Sequence, residues 1–369
     1  MESTALLILG AGKLGRILLR QLADSESFHR EKHGVGYRLV AWADSTGAFV
    51  SPRGLPFELL AGISARKESG ATFAEQGAEG GDGDARGRAL SLVDDLSKES
   101  GPPPLLVDVT SSDETGTLLL AALDRGLSVA TANKLPLAGK QDFFDRLTST
   151  PRFLYEATVA SAVPVIETCL GLLRNGDKVD AFTGALSGTI GFLMTGLEDG
   201  KPFSRLVKTA MERGYTEKDP RADLGGEDVA RKALILARTL GRRLEFADIA
   251  LQALVPTSLS LLSVEDFLEA LPGLDRDFAQ RVAKARAASQ ALRYAAAMDE
   301  GGVAVGPVAV PKGSALGSLR GNDNLLAISS MHYPELPLVL QGRGNGVEAA
   351  AAAVHGNIIE LLIAERFRR

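Results

Sequence analysis

Ala5 to Gly15 reads Ala-Leu-Leu-Ile-Leu-Gly-Ala-Gly-Lys-Leu-Gly, and the order of its parts decides the fold. An apolar run of strand length comes first. Gly10, Gly12 and Gly15 follow at G-x-G-x-x-G spacing, and Ile17, Leu18 and Leu22 then recur at helical intervals. The glycine pattern arises by chance when it stands alone, but between a strand and a helix it is a dinucleotide fingerprint. Gly10 permits the tight turn, Gly12 lets the backbone approach a pyrophosphate, and Gly15 allows close helix packing. The helix start, with Lys13 and Leu14 in its first turn, offers free N–H groups and a dipole to the anion.

Working outward, Arg38 to Ala43 reads as the second strand and ends at Asp44. A carboxylate there binds the adenine ribose hydroxyls and repels a 2′-phosphate, which favours NAD over NADP. Ser45, Thr46 and Arg53 are nearby groups able to take a phosphate. Lys67 to Pro104, rich in glycine and charge, reads as a surface loop with a helix around Ala89 to Leu96. Leu105 to Val109 is another buried strand, which delivers Thr110, Ser111 and Ser112 to the carboxyl end where open parallel sheets bind ligands. The strand Ser128 to Ala130 places Lys134 at the same mouth. From Phe153 the alternation changes: a strand to Ala157, an apolar helix Val163 to Leu173, and a strand Val179 to Leu186. Leu292 to Met298, Gly302 to Val310, Leu325 to Ser329 and Leu338 to Gln341 extend a mixed sheet. The run Gly342-Arg343-Gly344-Asn345-Gly346 then opens an alanine-rich helix, a second glycine-rich entry suited to an anion.

The fold class expected is α/β. Residues 1–150 form a Rossmann dinucleotide-binding domain, 151–340 a mixed α/β catalytic and dimerisation domain, and 341–369 a helix returning to the Rossmann domain.

Composition narrows the function. The 369 residues carry a net charge of −5 with no concentrated basic run, which argues against nucleic acid as a partner. No stretch of ~18 uninterrupted apolar residues and no N-terminal signal pattern appears, so neither membrane insertion nor secretion is expected. One cysteine, Cys169, cannot build a disulfide framework, and a reducing, cytoplasmic setting fits. It stands among Ile166, Leu170 and Leu173 with no basic partner near in sequence, so it reads as a core residue. The histidines His29, His33, His332 and His355 do not suggest a zinc or iron site.

Gly214 to Arg238 carries the chemistry. An acidic loop with Glu217, Asp219 and Asp223 turns through Pro220, Gly225 and Gly226 into a helix starting at Glu227 or Asp228. At ~3.6 residues per turn, Asp228 and Lys232 share one face with Ile235, Leu236 and Thr239, while Arg231 and Arg238 project on a stripe that reads as the solvent side. Alone, an Asp four residues before a Lys is an ordinary helix pair. On an apolar face beside further carboxylates, the lysine is a candidate proton-transfer group and the carboxylates are candidates to hold a substrate ammonium.

Five blocks together resemble homoserine dehydrogenase over nearly the whole chain: LGAGKLG at the N-terminus, TANKLPLA at Thr131 to Ala138, YEATVASAVPVIET at Tyr155 to Thr168, GALSGTIGFL at Gly184 to Leu193, and GYTEKDPRADLGGEDVARK from Gly214. The resemblance implies NAD(P)-dependent interconversion of L-homoserine and L-aspartate 4-semialdehyde, on the route to threonine and methionine, by a homodimer. It implies that Glu217 and Asp223 hold the amino acid end of the substrate, with Tyr215 and Gly184 shaping the pocket. Lys232, Lys134 and Asp228 then surround the reacting carbon. It also implies a sodium ion on backbone carbonyls of Glu156, Val159, Ser161 and Val163, where Ala160-Ser161-Ala162 replaces a glycine-rich turn. Cofactor contacts fall to Gly10, Gly12, Lys13, Leu14, Gly15, Asp44, Thr110, Ser111, Lys134 and Gly344. Arg343 departs from the usual small residues of the tail loop. With neither a kinase segment nor a regulatory tail in the sequence, no threonine feedback through such a domain is expected.

Two rivals make different demands. An aspartate semialdehyde dehydrogenase needs an activated cysteine to form a thioester. A non-catalytic cofactor sensor on the same fold needs no lysine and carboxylate set.

Overall fold

The computed structural model describes residues 3–78, 91, 94–95, 101–344 and 346–368; the helix expected around Ala89 to Leu96 falls mostly outside them. The chain divides into two compact units, Met1–Ala162 with Gly346–Arg369, and Val163–Asn345.

In the first unit, β1 (Ser3–Leu9), β2 (Gly36–Asp44), β4 (Leu105–Asp108), β5 (Ser128–Thr131) and β6 (Phe153–Leu154) run parallel, and β3 (Gly47–Val50) closes one edge antiparallel to β2. The order β3-β2-β1-β4-β5-β6 reverses direction at β1. Its carboxyl end is therefore the switch point at which such sheets bind dinucleotides, and Gly10 stands there. This is a Rossmann-type sheet. β1 is apolar because helices cover both faces: Leu6, Leu7 and Ile8 are all buried.

The C-terminal helix Val347–Arg368 joins this unit. Ala351, Val354, Ile358 and Leu362 pack with Leu18, Leu19 and Leu22 of the helix Lys13–His33 in one core. By length and composition it is the one helix among the described residues apolar enough to cross a membrane.

The second unit has a mixed sheet in the order β12-β11-β7-β9-β10-β8. Its strands are β7 (Val179–Ala185), β8 (Ala250–Leu251), β9 (Gln290–Asp299), β10 (Gly302–Pro311), β11 (Asp323–Ser330) and β12 (Tyr333–Arg343). Gly184 lies in β7 between Leu326 of β11 and Ala296 of β9. A Cβ there would stand 3.0 Å from the Leu325 carbonyl, so the close strand packing selects glycine.

Three sequence expectations need correction. The strand expected to Ala157 stops at Leu154, because Thr158 N–H and Oγ both turn back to the Tyr155 carbonyl and form a short 3-10 turn over Glu156–Thr158. The helix expected from Val163 starts at Val165, after Pro164, whose preceding residue is steered away from helical backbone. Arg238 is not on a solvent side. It is 3% exposed, and its guanidinium donates to the Leu244 carbonyl and pairs with Glu245 at 3.2 Å, which satisfies the buried charge.

Candidate active site

The first unit holds a cavity of about 610 Å³ at the carboxyl ends of β1, β2, β4 and β5. Gly10, Gly12, Leu14, Asp44, Thr110, Ser111 and Lys134 all line it. Each glycine is there for a different reason. Gly10 has φ +109°, and a Cβ on it would stand 2.9 Å from the backbone of Val109. A Cβ on Gly15 would stand 2.1 Å from the Gly10 carbonyl oxygen, so this glycine sets how closely the helix Lys13–His33 approaches the turn. A Cβ on Gly12 would meet nothing within 4 Å, so the space beside the helix start is open at this residue. The indole N–H of Trp42 donates to the Gly10 carbonyl at 3.1 Å and fixes the turn from behind. Lys13 is exposed and lies instead in a second cavity with Arg16 and Arg20. Gly344 belongs to the second unit, against Asn324.

Asp44 does not stand alone at the end of β2. Its Oδ1 accepts from Thr46 N–H at 2.8 Å and Thr46 Oγ1–H at 2.6 Å, and its Oδ2 lies 2.5 Å from Lys67 Nζ. Lys67 comes from the helix Phe57–Glu68 and also sits 5.0 Å above the ring of Phe73. No sequence spacing joins residue 67 to residue 44. The signal available was compositional, a lysine near the end of the stretch that follows the second strand.

The second unit assembles the acidic loop and its helix. Gly226 turns the chain into the helix Glu227–Thr239 with φ +77°, and a Cβ on it would stand 1.9 Å from the Tyr294 hydroxyl. That turn fixes where the helix starts and so aims Asp228. Lys232 Nζ stands 2.8 Å from Asp228 Oδ2 and donates to the Leu186 carbonyl at 2.7 Å. The lysine side chain is 16% exposed, the aspartate 45%. Leu186 follows β7 directly, and Ser187 then caps the helix Gly188–Glu198 by accepting from Ile190 N–H.

Asp223 Oδ2 accepts from Glu217 N–H at 2.9 Å, which folds the acidic loop back on itself. Burial raises the Asp223 carboxyl above its ordinary range against the bond from Glu217 N–H, and the charges of Glu217 and Asp228 push the same way as burial. Thr189 donates its hydroxyl proton to the Tyr215 carbonyl at 2.5 Å, and the Tyr215 ring meets Phe192 edge-on at 5.4 Å. Asp219, by contrast, is engaged by the Arg221 guanidinium at 2.6 Å, and that contact lowers its carboxyl pKa. Of the acidic run, Glu217, Asp223 and Asp228 form one cluster around Thr189 and Lys232; Asp219 braces the loop.

A family model described as homoserine dehydrogenase matches residues 164–359, and one described as the NAD binding domain of homoserine dehydrogenase matches residues 10–152. The chain belongs to the homoserine dehydrogenase family. It is 33% identical over 364 residues to the maize chloroplastic bifunctional aspartokinase/homoserine dehydrogenase 2, covering 96% of this chain and 38% of that one. It thus spans about two fifths of that bifunctional relative. The homoserine dehydrogenase of Saccharomyces cerevisiae is 31% identical and 96% of each chain is covered. A hyperthermophilic archaeal homoserine dehydrogenase solved in complex with NADPH has the same fold, with a TM-score of 0.72 at 22% identity and 97% of each chain covered. Cys169 is buried at 0% exposure within the helix Val165–Arg174.

Glu156, Val159 and Ser161 lie in the first unit, and Val163 is the first residue of the second. Ala160 and Ser161 have φ of 56° and 61°. They hold the left-handed conformation that glycine adopts readily, at a cost in strain. The Ser161 hydroxyl is buried with no hydrogen-bond partner.

Proposed function

We propose that the protein oxidises L-homoserine to L-aspartate 4-semialdehyde and catalyses the reverse reduction, with NAD or NADP bound in the cavity at Gly10 to Gly15. The observation that carries this reading is the grip on Lys232, whose amine is held by Asp228 and the Leu186 carbonyl next to a cluster of carboxylates. When bound, the dinucleotide accepts or gives the hydride. Two of the three donors of the Lys232 ammonium are engaged by Asp228 and Leu186, and the third is directed to the substrate oxygen. In reduction it polarises the aldehyde and delivers a proton; in oxidation the same amine receives the hydroxyl proton. Asp228 orients the amine. Lys134, on the cofactor side, is the second candidate for the transfer. Glu217 and Asp223 receive the substrate ammonium, which restricts the reaction to amino acids, while Tyr215 and Gly184 bound the pocket.

The nearby Lys67 offsets the charge of Asp44 and weakens the case for NAD over NADP; the archaeal relative was solved with NADPH. A sodium ion on the backbone carbonyls of Glu156, Val159, Ser161 and Val163 belongs to the same proposal, supported by the left-handed Ala160 and Ser161, which keep a turn without glycine, and by the buried Ser161 hydroxyl, which has no hydrogen-bond partner. A second copy of the chain would cover β12, an edge strand exposing Leu336 (82%) and Val339 (39%), which otherwise invites non-specific pairing. Sedimentation should then give two chains of 38.8 kDa, whereas a monomer at micromolar concentration would rule the dimer out. We place this enzyme in the cytoplasm.

The deciding assay supplies purified protein with L-homoserine and with NAD or NADP separately, following the absorbance of reduced nicotinamide. Turnover with at least one is expected; no turnover with either would overturn the reading.

A further inference from the structure

Directly behind the cavity wall lies a buried carboxylate that the reaction as drawn does not use. Asp108, the last residue of β4, is 0% exposed. Its Oδ1 accepts from Thr110 N–H at 2.9 Å and from Thr110 Oγ1–H at 2.7 Å, and its Oδ2 accepts from Thr115 Oγ1–H at 2.7 Å and from Asn133 Nδ2–H at 3.1 Å. All four donors are neutral. Asn133, 2% exposed, is the residue before Lys134. Its Nδ2 reaches the Ser112 carbonyl at 2.5 Å and its Oδ1 accepts from Leu135 N–H at 3.1 Å. One amide therefore ties the strand end that presents Lys134 to the loop that presents Thr110, Ser111 and Ser112, and those residues line the dinucleotide cavity.

A buried carboxylate is costly to desolvate, and the bonds it makes here hold a loop that apolar packing would not. A hydrophobic residue at position 108 would fill the same space and would leave the loop unanchored. We propose that Asp108 and Asn133 are positioning residues: as an acceptor and donor pair they lock the Thr110–Thr115 loop and the Lys134 backbone into one wall, and thereby set how tightly the dinucleotide is held. This rests on the reading of that cavity as the cofactor site.

The test uses Asp108→Asn, Asn133→Asp and the two combined. Asp108→Asn keeps the shape but turns one acceptor into a donor facing the Asn133 amide. Dinucleotide binding is read on the parent and variants by the fluorescence of Trp42, the one tryptophan, which donates to the Gly10 carbonyl at the cavity edge. We expect Asp108→Asn to raise the Kd about tenfold, the effect of unmaking one charge-assisted hydrogen bond, with far-UV circular dichroism unchanged. The combined variant leaves the new carboxylate at position 133 facing the Ser112 carbonyl and withdraws an acceptor from Thr110 or Thr115, so it should bind no better than Asp108→Asn. A Kd for Asp108→Asn within about twofold of the parent, or a combined variant that binds as the parent does, overturns the proposal. If Asp108→Asn does not fold, Thr115→Val removes the hydroxyl that contacts Asp108, the Ser112 carbonyl and Asn133 with little change of shape, and an unchanged Kd there is equally fatal. Because the readout is binding, a parent that binds dinucleotide and fails to oxidise homoserine defeats the proposed reaction and leaves this comparison intact.

Discussion

Lys67 Nζ lies 2.5 Å from the Asp44 carboxylate at the end of β2, so the group that would repel a 2′-phosphate carries its own counter-ion. The two side chains are 19% and 12% exposed, a setting in which the pair is screened less than on an open surface. Removing the amine would leave the Asp44 carboxylate without its counter-ion in the proposed cofactor cavity. We expect Lys67→Ala to lower kcat/KM with NADP relative to NAD by about tenfold, from the Coulomb effect of one charge at a few ångströms. A ratio that stays constant, measured from initial rates with each cofactor, would remove Lys67 from the determinants of preference.

Asp223 is raised by burial, with the charges of Glu217 and Asp228 adding to it. A raised carboxyl is protonated to a higher pH than a free one at ~3.9, and in its neutral form it grips an ammonium poorly. The acid limb of kcat/KM for homoserine is therefore expected above the ordinary carboxylate range, and Asp223→Asn should remove that limb and raise KM. The sign for stability is the reverse: this group favours the fold while protonated, and its contribution is lost as pH rises through the raised pKa. A pH profile identical in parent and variant would contradict the assignment.

His355 is pushed down to about 4 by burial and by His29, whose ring centroid lies 5.0 Å away; His33 stacks on His29 from the same helix and Ser25 bonds to His355 Nε2 at 3.3 Å. The unfolded chain takes up the proton near 6.5, before the folded one, so this contribution is complete above that value and declines as pH falls towards 4. Replacing the ring in His355→Gln should flatten the melting temperature between those limits by a few degrees relative to the parent. Parallel curves would show that the histidine titrates alike in both states.

Cys169 is fully buried on the helix Val165–Arg174. Cys169→Ser should keep kcat while lowering stability by about 1–3 kcal/mol, the cost of placing a hydroxyl in that environment. Loss of turnover in a folded variant would revive a thioester mechanism.

The contrast between Asp44 and Lys67 shows where the sequence was informative. Short-range signals were legible: the strand, glycine turn and helix of Ala5 to Leu22, the parallel order implied by alternating strands and helices, and the Asp228 to Lys232 face, because each is encoded by residues a few positions apart. What could not be read were partnerships across long intervals. Lys67 reaches Asp44 over 23 positions, Asn133 reaches Asp108 over 25 and Lys232 reaches the Leu186 carbonyl over 46. Arg238 misled for the same reason: helical spacing assigned its stripe, but the Leu244 carbonyl and Glu245 beyond the helix end decided its burial.

Lys232→Ala tests the central claim most directly. The variant should bind NAD or NADP as the parent does, since the cavity at Gly10 to Gly15 belongs to the other unit, while homoserine oxidation at saturating cofactor falls by about 10²–10⁴, the usual contribution of a positioned proton-transfer group. Turnover within about twofold of the parent, with cofactor binding intact, would contradict it.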